Sequence, residues 1–150
     1  MAEVSRELKT TPEVAFEVLS DGWLYGLWVV GASHIRDVDD NWPQVGSKIY
    51  HAFGAWPLLV RDQSEVLENV PSRRLVLLAR AWPAGQARIE LTLEPLPGGG
   101  CRVTINEYPV SGIGAFVHNP LADKLLYRRN VESLARFAAL AERRHAAGRA

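Results

Sequence analysis

The sequence predicts an α+β fold in which a curved antiparallel sheet grips one long C-terminal helix, and three observations predict it. The first is the stretch Pro120 to Arg144, where apolar residues recur at helical spacing over about 25 positions. The second is a run of six short segments between Ala32 and Tyr108, each of strand character and each bounded by turn residues. The third is a question of cover: one face of such a sheet must be shielded from water, and only the last helix is long enough to do it. The element order is therefore β-α-α, six further strands and a long helix, which makes a seven-stranded sheet.

The chain opens with Val4, Arg6, Leu8 and Thr10 alternating with Ser5, Glu7 and Lys9, the period of a first strand. In TPEVAFEVLSDG, Thr11 is a good N-cap and Pro12 suits the first helical position. Glu13 and Glu17 lie in early turns, where the helix dipole favours them, and Asp21-Gly22 closes this short helix. Trp23 to Val30 is apolar and aromatic, a second short helical turn leading into a strand. ASHIRDVD after Gly31 reads as the second strand, and Asp39 to Pro43 as a loop. Gly46 to Phe53, Pro57 to Glu68 and Arg74 to Trp82 are the third, fourth and fifth strands, with turns at Asn69 to Ser72 and at Pro83-Ala84-Gly85. Gln86 to Glu94 sets Ala87, Ile89, Leu91 and Leu93 against Arg88, Glu90, Thr92 and Glu94. Pro97-Gly98-Gly99-Gly100 is a hairpin loop, and Cys101 to Tyr108 returns as the last strand.

In the final helix Asn119 is the cap, and Pro120 stands where its missing N–H costs nothing. At 100° per residue one sector collects Ala122, Leu126, Asn130, Ser133, Leu134, Phe137, Leu140 and Ala141. The opposite side carries Lys124, Arg128, Glu132, Arg136 and Arg143, a solvated face. Asn130 and Ser133 are polar within the buried sector, and an unpaired buried amide costs about 1–3 kcal/mol. Either they find partners in the core or the helix overlooks a cavity.

Strand parity indicates which side chains line such a cavity. In the fifth strand Leu77, Ala79 and Ala81 face inward with Leu75, and the two alanines leave space between sheet and helix. In the last strand Cys101, Val103 and Ile105 face inward, and the same period brings Glu107 there unless a bulge near Tyr108-Pro109 turns it out. In the fourth strand Val66 and Asp62 share a face, again subject to a bulge. The third strand sets Tyr50 and Ala52 against Ile49, His51 and Phe53, and either set can be the inner one. Trp28, Trp42 and Trp56 stand in or beside loops at strand ends, where a cavity mouth would lie. Val110 to His118, with Gly112, Gly114 and the apolar Phe116, reads as a lid or as a packed connection.

Composition narrows the function classes. A chain of 150 residues is expected to form one domain, residues 1–150. Lysine plus arginine and aspartate plus glutamate balance at 17 each, so there is no global drive toward nucleic acid. No apolar run reaches the ~20 residues of a membrane span, and MAEVSREL lacks a signal-peptide apolar region. A cytoplasmic protein is expected, as the single cysteine, Cys101, also suggests. No phosphate-binding glycine motif is present. His34, His51, His118 and His145 lack metal-ligand spacing, so neither metal nor cofactor is expected. Acid/base chemistry inside a pocket remains, with Glu107, Asp62 and His51 as candidate catalytic groups.

The order of elements resembles the START-like (SRPBCC) superfamily, in its polyketide cyclase/dehydrase branch. The residues that carry the likeness are TPEVAFEVLSDGWLYGLWVVG, EVLENVPSRRLVL, GGGCRVTINE and LLYRRNVESLARFAALAE. The resemblance implies a helix-grip fold with a deep cavity between the sheet and the C-terminal helix. It also implies a lipid, sterol, polyketide, hormone or aromatic as ligand. The leading expectation is a carrier or sensor of a small hydrophobic molecule, acting as monomer or homodimer. Its lining would be drawn from Trp28, Trp42, Tyr50, Trp56, Leu77, Ala79, Ala81, Ile105, Phe116, Leu126, Asn130 and Ser133. The rival expectation is a polyketide aromatase/cyclase or dehydratase. A third is a co-chaperone-like module that uses the basic helix face.

Overall fold

The computed structural model describes residues 2–53, 57, 59–81, 85–112 and 119–148 (the side chains of Ser33, Phe53 and Ala81 excepted). Strand β1 (Ala2–Leu8) leads to helix α1 (Pro12–Ser20), a 3₁₀ turn (Gly22–Leu24) and the single-turn helix α2 (Tyr25–Trp28). Strands β2 (Ala32–Val38), β3 (Lys48–Phe53), β4 (Val60–Val70), β5 (Arg74–Ala81), β6 (Gly85–Pro95) and β7 (Cys101–Ser111) follow, and then helix α3 (Pro120–Ala147). The seven strands form one antiparallel sheet in the order β1-β7-β6-β5-β4-β3-β2. The α+β helix-grip architecture expected from the sequence is the one observed.

Local chemistry explains most element ends. Thr11 Oγ1 accepts from Val14 N at 3.2 Å and caps α1, while Asn119 Oδ1 accepts from Leu121 N at 3.0 Å and caps α3. β1 ends at Leu8 rather than at Thr10, because its partner β7 begins at Cys101, directly opposite Leu8. β7 runs on to Ser111 past Pro109. β1 stops opposite Glu107, and a bulge lies between Gln86 and Ala87 of β6, so this proline interrupts no ladder on its β1 side. Gly85 has a φ of +116°, and a Cβ there would sit 2.0 Å from the Ser111 carbonyl oxygen, so only glycine fits where β6 starts beside the end of β7.

The open parities are resolved by register. Ile49 and His51 are buried on the inner face of β3 and lie opposite Ser64 and Asp62 of β4, while Ala52, also buried, has the other parity. The β4 bulge falls between Val66 and Glu68, beyond the stretch that matters, so Asp62, Ser64 and Val66 share the inner face as expected. Further bulges along β2 bend that edge of the sheet.

The core fills the space where α3 crosses the sheet. Leu134, Phe137, Ala138 and Ala141 are buried against Ala15, Phe16, Val18 and Leu19 of α1 and the inward residues of the sheet. Phe137 meets the Trp28 ring edge-on at 5.3 Å between centroids. Cys101 is buried, and burial, helped by the Glu13 charge, raises its thiol pKa to about 11, so it is a small apolar side chain here. The outer sheet face is held by ions. Glu90 accepts from Arg88 at 2.8 Å and from Tyr108 Oη at 2.9 Å, and Arg74 bridges Glu90 and Glu68 at 3.3 and 3.2 Å. Among the described residues no helix is long and apolar enough to cross a membrane.

Candidate ligand site between the sheet and the C-terminal helix

Glu107 lies on the inner face of β7, opposite Ile89 of β6, and is 6% exposed. The bulge that would have rotated it outward occurs farther along, beyond its β6 partner. A carboxylate in that position needs a cation. Arg129 of α3 supplies it: its Nη2 donates to Glu107 Oε2 and also to Asn130 Oδ1, the latter at 3.3 Å. Ser133, one turn on, accepts from the backbone N–H of Val30 at 3.1 Å and thereby anchors the α2–β2 connection to α3. The polar interruption of the helix stripe thus has two uses: Ser133 pairs with backbone, and Asn130 joins an ion pair.

These groups border a small cavity of about 10 Å³, room for a single water. Tyr25 and Trp28 of α2 form one wall, with ring centroids 5.5 Å apart, and Leu77, Ile89 and Ile105 form the sheet floor. The two aromatic rings and the Glu107–Arg129 pair narrow the hollow that the inward alanines suggested. β3, β5 and β7 end, and β4 and β6 begin, at one and the same end of the sheet, by its antiparallel order.

A second set of polar groups adjoins Tyr25. His51 stacks on the Tyr25 ring, with 5.9 Å between centroids and 9° between planes. Its Nε2 lies 2.9 Å from Ser64 Oγ. Burial raises the Tyr25 pKa, opposed by the influence of the Ser64 hydroxyl. Burial lowers the His51 pKa to about 4, with the Asp62 charge pulling the other way and Arg36 reinforcing the drop. The imidazole is therefore neutral at pH 7 and resists protonation. The same depression ties stability to pH: because the folded state resists charging His51, its contribution is present above the ordinary value of 6.5 and is lost as pH falls toward 4. Replacing His51 by glutamine should remove on the order of 2–3 kcal/mol of that acid sensitivity. Urea unfolding of both proteins at pH 7.5 and 4.5 reads it, and equal pH dependence in the two would refute it.

The expected site residues fall into three groups. Trp28, Leu77, Ile105, Glu107, Asn130 and Ser133 all border the cavity. His51, Ala79, Asp62 and Leu126 do not: His51 and Ala79 are buried on the inner face, Asp62 is half-buried opposite His51, and Leu126 is half-buried on α3. Ala81 ends β5 opposite Gly85. Tyr50 is turned to the other face of β3, beside Asp39, because His51 takes the inner parity. Trp42 belongs to the β2–β3 connection at the opposite end of the sheet, where its indole N–H donates to the Leu19 carbonyl at 3.0 Å. Trp56 and Phe116 lie outside the described residues.

Sequence reasoning missed Arg129, Tyr25 and Ser64. Arg129 falls only about 20° outside the buried helical sector, close enough to serve a buried carboxylate. Tyr25 stands three residues before Trp28 in one helical turn, the spacing that puts two side chains on one face. Ser64 shares parity with Val66, but nothing marked it until His51 was known to face inward. Among the described residues no group of three or more potential ligands is arranged to hold a metal ion.

Solved structures with the same fold include the aromatase/cyclase ZhuI from Streptomyces sp. R1128, 15% identical, with a TM-score of 0.70 over 95% of this chain and 93% of that one. Protein CV1439 from Chromobacterium violaceum is 24% identical, with a TM-score of 0.68 over 93% and 96% of the two chains. DynU16, described as a putative protein of the dynemicin biosynthetic locus, is 17% identical with a TM-score of 0.68, and the match covers 94% of this chain but 46% of that one. At such identities the likeness is one of fold. No curated protein sequence matches the chain. The family model described as polyketide cyclase / dehydrase and lipid transport matches residues 1–142. With nearly its whole length matched, the chain belongs to the polyketide cyclase / dehydrase and lipid transport family.

Proposed function

We propose that the protein binds a small hydrophobic molecule, aromatic or polyketide-like, between the sheet and the C-terminal helix. The observation that carries this reading is a set of polar groups, the buried Glu107 and Asn130 and the partly exposed Arg129, bordering a cavity whose other walls are Tyr25, Trp28 and aliphatic side chains. Few oriented polar groups in an otherwise apolar recess is the composition of a small-molecule site. Family membership points the same way. The cavity itself holds about one water, so a ligand enters by displacing side chains, and Arg129, whose side chain is 30% exposed, is the one that reaches the surface. Apolar burial at roughly 25 cal/mol per Å² then supplies most of the affinity.

Native mass spectrometry of the full chain as purified, followed by titration with naphthalene-sized aromatics, tests this. A retained small molecule, or saturable binding that Leu77→Trp abolishes by taking the space a ligand would open, supports it. Absence of both overturns it. A second reading, a cyclase or dehydratase, is favoured by one observation: a buried carboxylate, Glu107, borders the cavity. A carrier returns its ligand unchanged, whereas an enzyme should lose on the order of 10²-fold in kcat on Glu107→Gln.

A further inference from the structure

Two nitrogen donors at the candidate site have no hydrogen-bond partner among the described residues: Arg129 Nε and Asn130 Nδ2. Both belong to side chains that border the cavity, and Asn130 is 1% exposed. The orientation of the Asn130 amide follows from electrostatics, since its oxygen takes the guanidinium at 3.3 Å and its NH₂ must point elsewhere. A buried donor left unmade is costly, and both nitrogen atoms are buried. The positive charge beside them is already answered by Glu107, whose side chain is 8% exposed and whose Oε2 accepts from Arg129 Nη2. A second carboxylate brought to this place would face Glu107 in a poorly solvated setting, where like charges repel strongly.

From these placements we infer that the ligand carries a neutral carbonyl oxygen, and that Asn130 Nδ2 and Arg129 Nε are the donors that receive it. The inference rests on the binding function proposed above and specifies the polar end of that ligand. The apolar remainder lies along Tyr25, Trp28 and the sheet floor. A carbonyl oxygen has two lone pairs and can accept from two donors, which neither a hydrocarbon nor an aliphatic ammonium can do.

Three shape-matched probes test it on the full chain: 2-ethylnaphthalene, 2-acetylnaphthalene and 2-naphthoate, titrated by tryptophan fluorescence. The ketone is expected to bind about 10-fold or more tighter than the hydrocarbon, and the carboxylate more weakly than the ketone. Asn130→Leu should bring the ketone down to the hydrocarbon while leaving the hydrocarbon within about threefold. The bound ketone's infrared C=O stretch, lowered in the parent protein, should return toward its apolar-solvent value in the variant. Arg129→Lys keeps a cation for Glu107 but lacks the Nε donor. It should cost part of the ketone preference, and it serves with the parent C=O stretch if Asn130→Leu does not fold. Equal binding of ketone and hydrocarbon, or an unshifted stretch, overturns the inference and leaves the binding function standing. Tightest binding of the carboxylate overturns the neutral-oxygen assignment. Failure of all three probes to bind at millimolar concentration overturns the inference, and where the purified chain also retains no small molecule it overturns the binding function with it.

Discussion

Arg129→Met is expected to lower the unfolding free energy by about 3 kcal/mol, because it strands the Glu107 carboxylate in the core without its cation. Breaking a fully buried pair costs about 3–5 kcal/mol; the lower end applies here, since the Arg129 side chain is 30% exposed and water screens part of the interaction. The stabilising worth of the pair itself is a separate quantity. Replacing both members, Arg129→Met with Glu107→Leu, removes the desolvation penalty along with the attraction, and the double variant should return to within about 1 kcal/mol of the parent. Urea unfolding of the four proteins of that cycle measures the coupling. Simple additivity of the two single losses would show that Glu107 and Arg129 do not depend on each other for burial.

Phe137→Ala should cost about 3–5 kcal/mol, the range for deleting a buried phenylalanine. Phe137 has no exposed surface, sits edge-on to Trp28 and lies where α3 presses on α1 and the sheet. Its removal takes away burial and also leaves a void that the rigid neighbours cannot close. Leu121→Ala is the control: Leu121 is 65% exposed in the first turn of α3, and its loss should stay within about 0.5 kcal/mol. A Phe137→Ala loss no larger than that of Leu121→Ala, by the same denaturant titration, would mean that α3 is not packed as described.

What could be read in advance depended on the range of the forces involved. Caps, periodicity and turn chemistry act over a few residues, so Thr11, Asn119, the alternation of Ala87 to Leu93 and the glycines before Cys101 announced their elements. The buried stripe of α3 from Asn130 to Ala141 was legible for the same reason, and so was the inward parity of Glu107 and Ile105. Tyr50 misled because β3 carries plausible residues on both faces, and a strand with two candidate faces is assigned only by what packs against it. Trp42 misled because a tryptophan near a strand end does not say which end. The sheet's antiparallel order sent it away from the cavity.

The elements, the sheet-and-helix class and the polar break in the final helix are local properties, because each depends on neighbours along the chain. Only packing pairs Arg129 with Glu107, stacks His51 on Tyr25 and bonds it to Ser64, and ties Ser133 to Val30. Those contacts join residues far apart in the chain, and no local propensity encodes them. They form only when the packing of α2 and α3 against the sheet excludes water and leaves each buried polar atom to find whatever partner the fold brings near.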